Sequence, residues 1–325
     1  MNIATATQRI GIVTSRPEKL ADYFPTAAEP DFIPTEPPFT PDDQLLVNEL
    51  RRRGHQVSAI VWGADASRLP ERFDRVIIRS PWDYMDGDEL RRGFLRWLKD
   101  LAATGLSVEN EPQVMLWLMD KHYLLDFADV GVPIVPTQLI PAGGAFDLEP
   151  FVERHGAVVI KPAVSAAGAG LEFLPDRPAA RSFQQEFSGR CARAAQLVQP
   201  FLPEIQTNGE WSLVYLGGEY SHGVHKLPAR GQIMVHAERG GSLRFADPPA
   251  VVRQMGDRAA AAVPQAFANR GDRSCRMPIY LRIDIIETAS GGLLSECEGV
   301  EPELFFRARH WSAARFAELV EHSYL

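Results

Sequence analysis

At 325 residues, with 45% hydrophobic and 23% charged side chains, the chain is long enough to enclose two or three sizeable cores and has the make-up of a soluble globular protein. A net charge of −8 without any long Lys/Arg block argues against a general nucleic-acid binder. No apolar run approaches the roughly 20 residues of a membrane helix, no basic-then-apolar signal opens the chain, and Cys191, Cys275 and Cys297 lack metal-ligand spacing, so reduced thiols in a cytoplasmic protein are expected.

Ile10–Val13 reads as a short strand ending at Thr14-Ser15. The proline-rich stretch from Pro25 to Pro41 has no periodicity and is expected to be a long surface loop. Asp42 and Asp43 start a helix to Arg53, with Leu46, Val47 and Leu50 as its apolar stripe and Gly54 as its stop. Val57–Val61 and Phe73–Arg79 are strands, the second running into Ser80-Pro81-Trp82-Asp83-Tyr84. Asp88 is expected to cap a helix that turns Leu90, Phe94, Trp97, Leu98 and Leu101 inward, and Leu106–Val108 is another strand. Strands alternating with helices predict a small parallel α/β unit.

A helix is expected from Asp120-Lys121 to about Val130, then a proline-broken strand VPIVPTQLI, a helix from Asp147 to His155, and a strand Ala157–Lys161. The small-residue loop Val164–Gly170 follows, then a helix Arg177–Arg190 and a strand Ala195–Phe201. Beyond Glu210 the chain is strand-rich. Trp211–Leu216 and Tyr220–Lys226 flank Gly217-Gly218 as a hairpin. Residues 250–268 and 311–322 read as helices on either side of a second hairpin.

Lys161 ends a strand beside a glycine-rich loop, where a flexible backbone can close over phosphates and a lysine offers a point charge. The loop is not a P-loop, and a surface turn satisfies the same pattern. Lys121, near a helix start, carries less signal alone. At Pro200 an apolar strand stops pairing, so Gln199 and Phe201 have backbone groups suited to an adenine edge, and Glu204 a carboxylate suited to ribose. A plain connection between subdomains also fits these residues. Trp82-Asp83 ends a strand where open α/β sheets place ligands. Asp83 suits a substrate ammonium group, or equally a turn. His222 and His225, three apart on a strand, fall on opposite faces and read as structural.

The second hairpin runs YLRIDIIETASGGLLSECEGVEPELFF from Tyr280 to Phe306, with Gly291-Gly292 as its turn. Alternation puts Arg282 and Asp284 on one face of the first strand, and Glu296 and Glu298 on one face of the second, with Cys297 opposite and buried. Three converging carboxylates repel one another unless a cation joins them. Mg²⁺ suits such hard oxygens, although a solvated acidic face reads the same way.

In this order the segments IRSPWDY (78–84), DKHYLL (120–125), VPTQLI (135–140), VVIKPAVSAAGAG (158–170), VQPFLPEI (198–205), GEWSLVYLGGEYSHGVHK (209–226), HAERGG (236–241) and the 280–306 hairpin resemble the ATP-grasp superfamily of carboxylate–amine ligases. Within it the chain is similar to the branch containing the cyclo-ligase that forms D-cycloserine from O-ureido-D-serine. The resemblance implies an α/β fold, α+β in the grasp part. It would comprise an N-terminal α/β substrate-side domain (1–114), a central lid subdomain (115–198) and a C-terminal metal-bearing subdomain (199–325), the last two clasping the nucleotide. It implies that Lys121 and Lys161 hold phosphates of ATP, and that Ser165, Gly168 and Gly170 belong to a loop over the γ-phosphate. Gln199 and Phe201 would present backbone to adenine, with Glu204 on ribose. Asp284, Glu296 and Glu298 would hold two Mg²⁺ ions, for which Mn²⁺ substitutes. Arg282 would stabilise the transferring phosphoryl group, and Lys226, Arg230 and Arg239 would face the reaction centre. Either arginine could grip the substrate carboxylate or simply lie on a surface loop.

Three positions depart from the branch. Glu298 stands where asparagine is common, Cys297 interrupts an expected Glu-Leu-Glu, and Leu118 replaces an expected asparagine before Asp120-Lys121. The activity implied is ATP-dependent activation of a small carboxylate as an acyl phosphate, then attack by an amine, releasing ADP and phosphate. The substrate would be a small amino-acid-like molecule, in natural-product or antibiotic biosynthesis, with no nucleic-acid or membrane partner and a homodimer by family habit. A RimK-like ligase adding amino acids to a peptide tail, or a non-catalytic nucleotide-binding module, are the alternatives.

Overall fold

The computed structural model describes residues 6–23, 39–165, 168–229, 235, 241–271, 274–309 and 311–322. Most of the proline-rich 25–41 stretch lies outside the described residues, as do Arg230 and Arg239. Three sheets organise the chain. The first contains β1 (Arg9–Thr14), β2 (Gln56–Val61), β3 (Arg75–Ser80) and β4 (Ser107–Glu109), all parallel in the order β2-β1-β3-β4. Buried Ile10, Ile12, Val76, Ile77 and Ile78 make the near-continuous apolar runs of a sheet covered on both sides. The Pro41–Arg52 helix starts at Thr40, whose hydroxyl accepts the Asp43 N–H, so the cap lies two residues before the expected start. Asp42 and Asp43 are instead buried, ion-paired with Arg307 and Arg79. Gly87, not Asp88, occupies the cap position of the Asp88–Ala103 helix.

The second sheet contains β5 (Gln138–Ile140), β6 (Val158–Pro162), β7 (Glu172–Leu174) and β8 (Gln196–Pro200), antiparallel in the order β5-β8-β6-β7. The Leu148–His155 and Arg177–Arg193 helices pack against it around their own core of Ile140, Leu148, Val158, Phe187 and Val198. The prolines of VPIVPTQLI leave only a three-residue strand, although Ile134 bridges to Leu294 of the third sheet.

That third sheet contains β9 (Glu210–Leu216), β10 (Glu219–Leu227), β11 (Ser242–Phe245), β12 (Tyr280–Thr288) and β13 (Gly291–Glu298), antiparallel in the order β11-β10-β9-β12-β13. The Ala250–Ala268 helix lies on one face through Val252, Met255, Ala259 and Val263. Gly291 and Gly292 pair with Thr288 and Glu287, so the β12–β13 turn is Ala289-Ser290 and the glycines open the second strand. Two cores join the first and third sheets. One runs from Phe94 and Trp97 through Tyr123 to Leu281 and Leu294, and the other from Leu46 and Ile77 to Tyr280 and Phe316.

Candidate active site

The candidate side chains gather on one face of the third sheet. Register sets Arg282 opposite Glu298 and Asp284 opposite Glu296, and Ile283 opposite buried Cys297 on the other face. Beyond Asp284 the pairing slips by one residue, leaving Ser295 as the extra residue of a bulge. The Arg282 guanidinium lies between two acids. Its Nε and Nη2 each donate at 3.0 Å to Asp284, and Nη2 also donates to Glu298. Neighbouring strands add to the same face. Ser212 donates its hydroxyl to Asp284 at 2.6 Å, and Glu210 stands 3.9 Å from Lys226.

The two lysines come from elsewhere and meet at one acid. β6 delivers Lys161, whose Nζ lies 2.9 Å from Glu296 Oε1. Lys121 is clipped beside it, because its N–H donates to Ala163 O at 2.8 Å, just past the end of β6. Its Nζ lies 3.9 Å from the same Glu296 oxygen and donates to Ser165 O at 2.6 Å. Under the hairpin, Tyr123 accepts the Cys297 N–H at 3.0 Å, tying the segment after Lys121 to β13.

These contacts set the electrostatics. Burial alone would raise Glu296, but Lys121 and Lys161 hold it down at about 2. Burial likewise opposes the ionisation of Asp284, yet Arg282 and Lys226 keep its pKa below the ordinary value. Glu298 moves the other way: burial raises it, Arg282 only partly offsets this, and Asp284 and Glu296 add like-charge repulsion. Burial, with Asp284 nearby, raises Glu210 to about 7 despite Lys226.

Residues 23–110 match the family model for the D-cycloserine synthetase DcsG N-terminal domain, and residues 120–261 match that for the prokaryotic glutathione synthetase ATP-grasp domain. The chain is 27% identical to the cycloserine biosynthesis protein DcsG of Streptomyces lavendulae over 277 residues, which is 76% of this chain and 82% of that protein. The chain belongs to the ATP-grasp ligases, in their DcsG-like branch. A glutathione synthetase from Synechocystis is 32% identical over 148 residues, 45% of this chain and 44% of that one. The fold is also that of the crystal structure of D-cycloserine synthetase DcsG, with TM-score 0.77 and 22% identity over 97% of this chain and 99% of that one. D-alanine–D-alanine ligase from Bacillus anthracis matches at TM-score 0.61 and 12% identity, over 97% and 93%.

As an ATP-grasp ligase, this is an ADP-forming C–N ligase that forms amide bonds with ATP and Mg²⁺. Its acids fit the metal. Asp284, Glu296 and Glu298 each offer an oxygen with all three within 4.8 Å of one another, the one such group of His, Cys, Asp and Glu side chains among the described residues. Oxygen donors so spaced suit a small hard cation.

The remaining expected site residues are distributed less evenly. Ser165, Gly168 and Gly170 are described, but Ala166 and Ala167 are not. Gly170 has φ +75°, and a Cβ there would meet the Pro162 ring at 2.8 Å, so glycine is required both by backbone and by space. Gln199 donates its side chain to Thr137, whereas the Phe201 N–H already goes to Ala157 O at 2.8 Å, leaving only its carbonyl for a base edge. The Glu204 carboxylate has no hydrogen bond or ion pair among the described residues.

The ammonium reading of Asp83 meets a carboxylate already engaged. Asp83 is fully buried, pairs with Arg16 Nε at 2.7 Å and accepts the Trp62 indole N–H. Trp82 donates its indole N–H to Glu301 O at 2.9 Å. His222 is buried against Leu304 O, and His225 stacks on Trp211 at 4.4 Å, so both are packed structurally, as expected. Sequence reading missed Glu210, Ser212 and Glu301. Glu210 and Ser212 were findable, since strand alternation puts both on the face of Asp284 once β9 is paired with β12.

Proposed function

We propose that the enzyme activates the carboxylate of a small amino-acid-like substrate and joins it to an amine, in specialised metabolism of the kind named for its Streptomyces lavendulae relative. The observation that carries this is the convergence of Lys121, Lys161, Arg282, Asp284, Glu296 and Glu298, drawn from three separate segments, on one sheet face. In this reading residues 1–114 form the substrate side, 115–198 the lid and 199–325 the metal-bearing part. Two Mg²⁺ ions, or Mn²⁺ in their place, would neutralise the triphosphate when held by Asp284, Glu296 and Glu298.

The other roles belong to the chain's own residues. Lys121 and Lys161 exchange Glu296 for phosphate oxygens, with Ser165, Gly168 and Gly170 closing from the side. The adenine edge is met by the backbone of Gln199 and the carbonyl of Phe201, and ribose by Glu204. A carboxylate oxygen attacks the γ-phosphorus and ADP departs. Arg282 lies where its planar fork can follow the charge from the phosphoryl group to the acyl phosphate. The amine nitrogen then bonds to the acyl carbon, loses a proton, and phosphate departs. Lys226, with Arg230 and Arg239 from segments outside the described residues, faces that step. Closure of the central part keeps water from the acyl phosphate. A homodimer in the cytoplasm completes the reading.

The test is an ADP-release screen across amino-acid analogues with mass spectrometry of the products. One ADP and one phosphate per amide formed is expected. The reading is lost if no carboxylate and amine pair yields that stoichiometry.

A further inference from the structure

Matching each acid of the centre with its cation leaves one over. Asp284 and Glu298 share Arg282, Glu296 has Lys161 and Lys121, and Glu210 has Lys226. Glu301 has none: among the described residues, no lysine, arginine or histidine nitrogen lies within 4.0 Å of its carboxylate. One of its oxygens accepts from the Tyr84 hydroxyl. The other has no partner and is not sealed from solvent, and the residue is only partly covered.

The chain holds this carboxyl in place with unusual thoroughness. Four consecutive carbonyls each accept a hydrogen bond from a side chain of another segment. Asn110 donates to Gly299 O at 2.8 Å, Tyr280 to Val300 O at 2.9 Å, Trp82 to Glu301 O at 2.9 Å and Arg79 to Pro302 O at 3.0 Å. Arg79, Trp82 and Tyr84 belong to the first sheet's exit, and Asn110 follows β4, so Glu301 stands at the seam between substrate side and metal face. Burial raises its carboxyl to about 7. The Tyr84 hydroxyl pulls it down, the Glu298 charge pushes it up, and Lys121 and Arg282 lower it more weakly from the centre. An acid kept beside another acid with no cation is costly, and an arriving cation relieves that cost.

We propose that Glu301, oriented by Tyr84 and by the pinned 299–302 backbone, receives the substrate's ammonium group and so selects amino acids over plain carboxylic acids. This rests on the ligase reading above and assigns to Glu301 the part first expected of Asp83. It takes Tyr84 as a positioning residue and Glu301 as the group that touches substrate.

The test uses the full-length enzyme with MgATP and three amino acids, D-alanine, D-serine and O-ureido-D-serine. Their des-amino counterparts serve as competitive inhibitors. Glu301→Gln keeps shape and hydrogen bonding but removes the charge. It is expected to raise KM for the amino acid by about 30-fold or more with kcat within about threefold, because a charged partner is lost. MgATP affinity by calorimetry and the inhibition constant of the des-amino acid should stay within about twofold. Tyr84→Phe should raise the same KM by about three- to tenfold. Glu301→Asp, which restores the charge, should recover most of the preference for the amino acid over its des-amino counterpart.

An unchanged KM in Glu301→Gln overturns the proposal, as does an equal rise for amino acid and des-amino acid. So does a Glu301→Asp enzyme no better than the Gln variant, and this comparison decides the matter if the Gln variant fails to bind MgATP. A wild-type enzyme that binds MgATP but releases no ADP with any of the three amino acids overturns the substrate reading itself, and the ammonium site with it.

Discussion

Lys161 Nζ lies 2.9 Å from Glu296 Oε1, so a side chain proposed to hold phosphate is paired with one proposed to hold metal. Lys121 shares the same oxygen at 3.9 Å. Nucleotide can take the lysines only when something else takes Glu296. Metal and nucleotide should therefore bind with strong positive coupling. Glu296→Gln frees both lysines and is expected to bind ATP in EDTA at least about tenfold more tightly than wild type, while losing most of the enhancement by Mg²⁺. Glu298→Gln removes the same charge from the cluster but is paired with Arg282, and should leave metal-free binding nearly unchanged. Calorimetry on the three proteins checks this. Equal gains in the two variants would mean that general repulsion, not lysine release, governs the coupling.

Asn110 makes a second kind of joint. Its amide NH₂ donates to Tyr280 O at 2.9 Å and Gly299 O at 2.8 Å, and its oxygen accepts the Ile279 N–H at 2.8 Å. One buried side chain thus fastens the first residue of β12 to the residue after β13. Asn110→Ala leaves those backbone groups unpaired in the interior, and a loss of about 2–4 kcal/mol in denaturant unfolding is expected. Because Gly299 leads directly to Glu301, the surviving folded enzyme should show a higher KM for the amino acid with little change for ATP. A variant that loses stability but keeps both KM values would separate the joint from substrate binding.

Gly170 tests the loop beside Lys161. It combines a left-handed φ of +75° with a 2.8 Å approach of any Cβ to Pro162, and Arg190 Nη1 donates to its carbonyl at 2.9 Å. Gly170→Ala should shift this end of the loop rather than unfold the sheet, since the strain is confined to one turn of about 1–2 kcal/mol. The expected result is a fall in kcat of about tenfold or more with Tm lowered by only a few degrees. Full activity in the alanine variant would show that the loop's path there does not matter.

What the sequence made readable follows the range of the physics involved. The 280–298 acids could be placed on one face because strand alternation is local, and the observed register carries them there. Gly291-Gly292 misled the turn by two residues, since glycines opening a strand look the same as glycines in a turn. The Pro112–Leu118 helix was missed because it is buried nearly all round, which removes the periodicity by which helices are read. The engagement of Asp83 was hidden for a related reason: its partners, Arg16 and Trp62, sit 67 and 21 residues away. Glu301 lay in plain view in VEPELFF, yet the role proposed for it depends on its having no cation beside it among the described residues, which only the folded chain can reveal.

His222 offers a pH test away from the metal carboxylates. It is 2% exposed, its Nε2 lies 2.9 Å from Leu304 O, and Ser221 Oγ lies 2.9 Å from Nδ1. Burial lowers its pKa to about 4, partly countered by the Leu304 carbonyl and reinforced by Arg309. An unfolded histidine titrates near 6.5, so between the two values the unfolded chain binds the extra proton. The stability His222 contributes is therefore complete above about 6.5 and is lost as pH falls toward 4. Glu210 and Glu301 have the opposite sign across much of this window, because their raised values favour the folded protein on the acid side. The wild-type curve alone would mix these slopes, so the comparison must be with His222→Asn. The wild type's advantage over that variant should shrink by about 2–3 kcal/mol between pH 7.5 and 4.5, measured by denaturant unfolding of the ligand-free proteins. An advantage that stays constant with pH would mean that His222 is not held neutral by its burial.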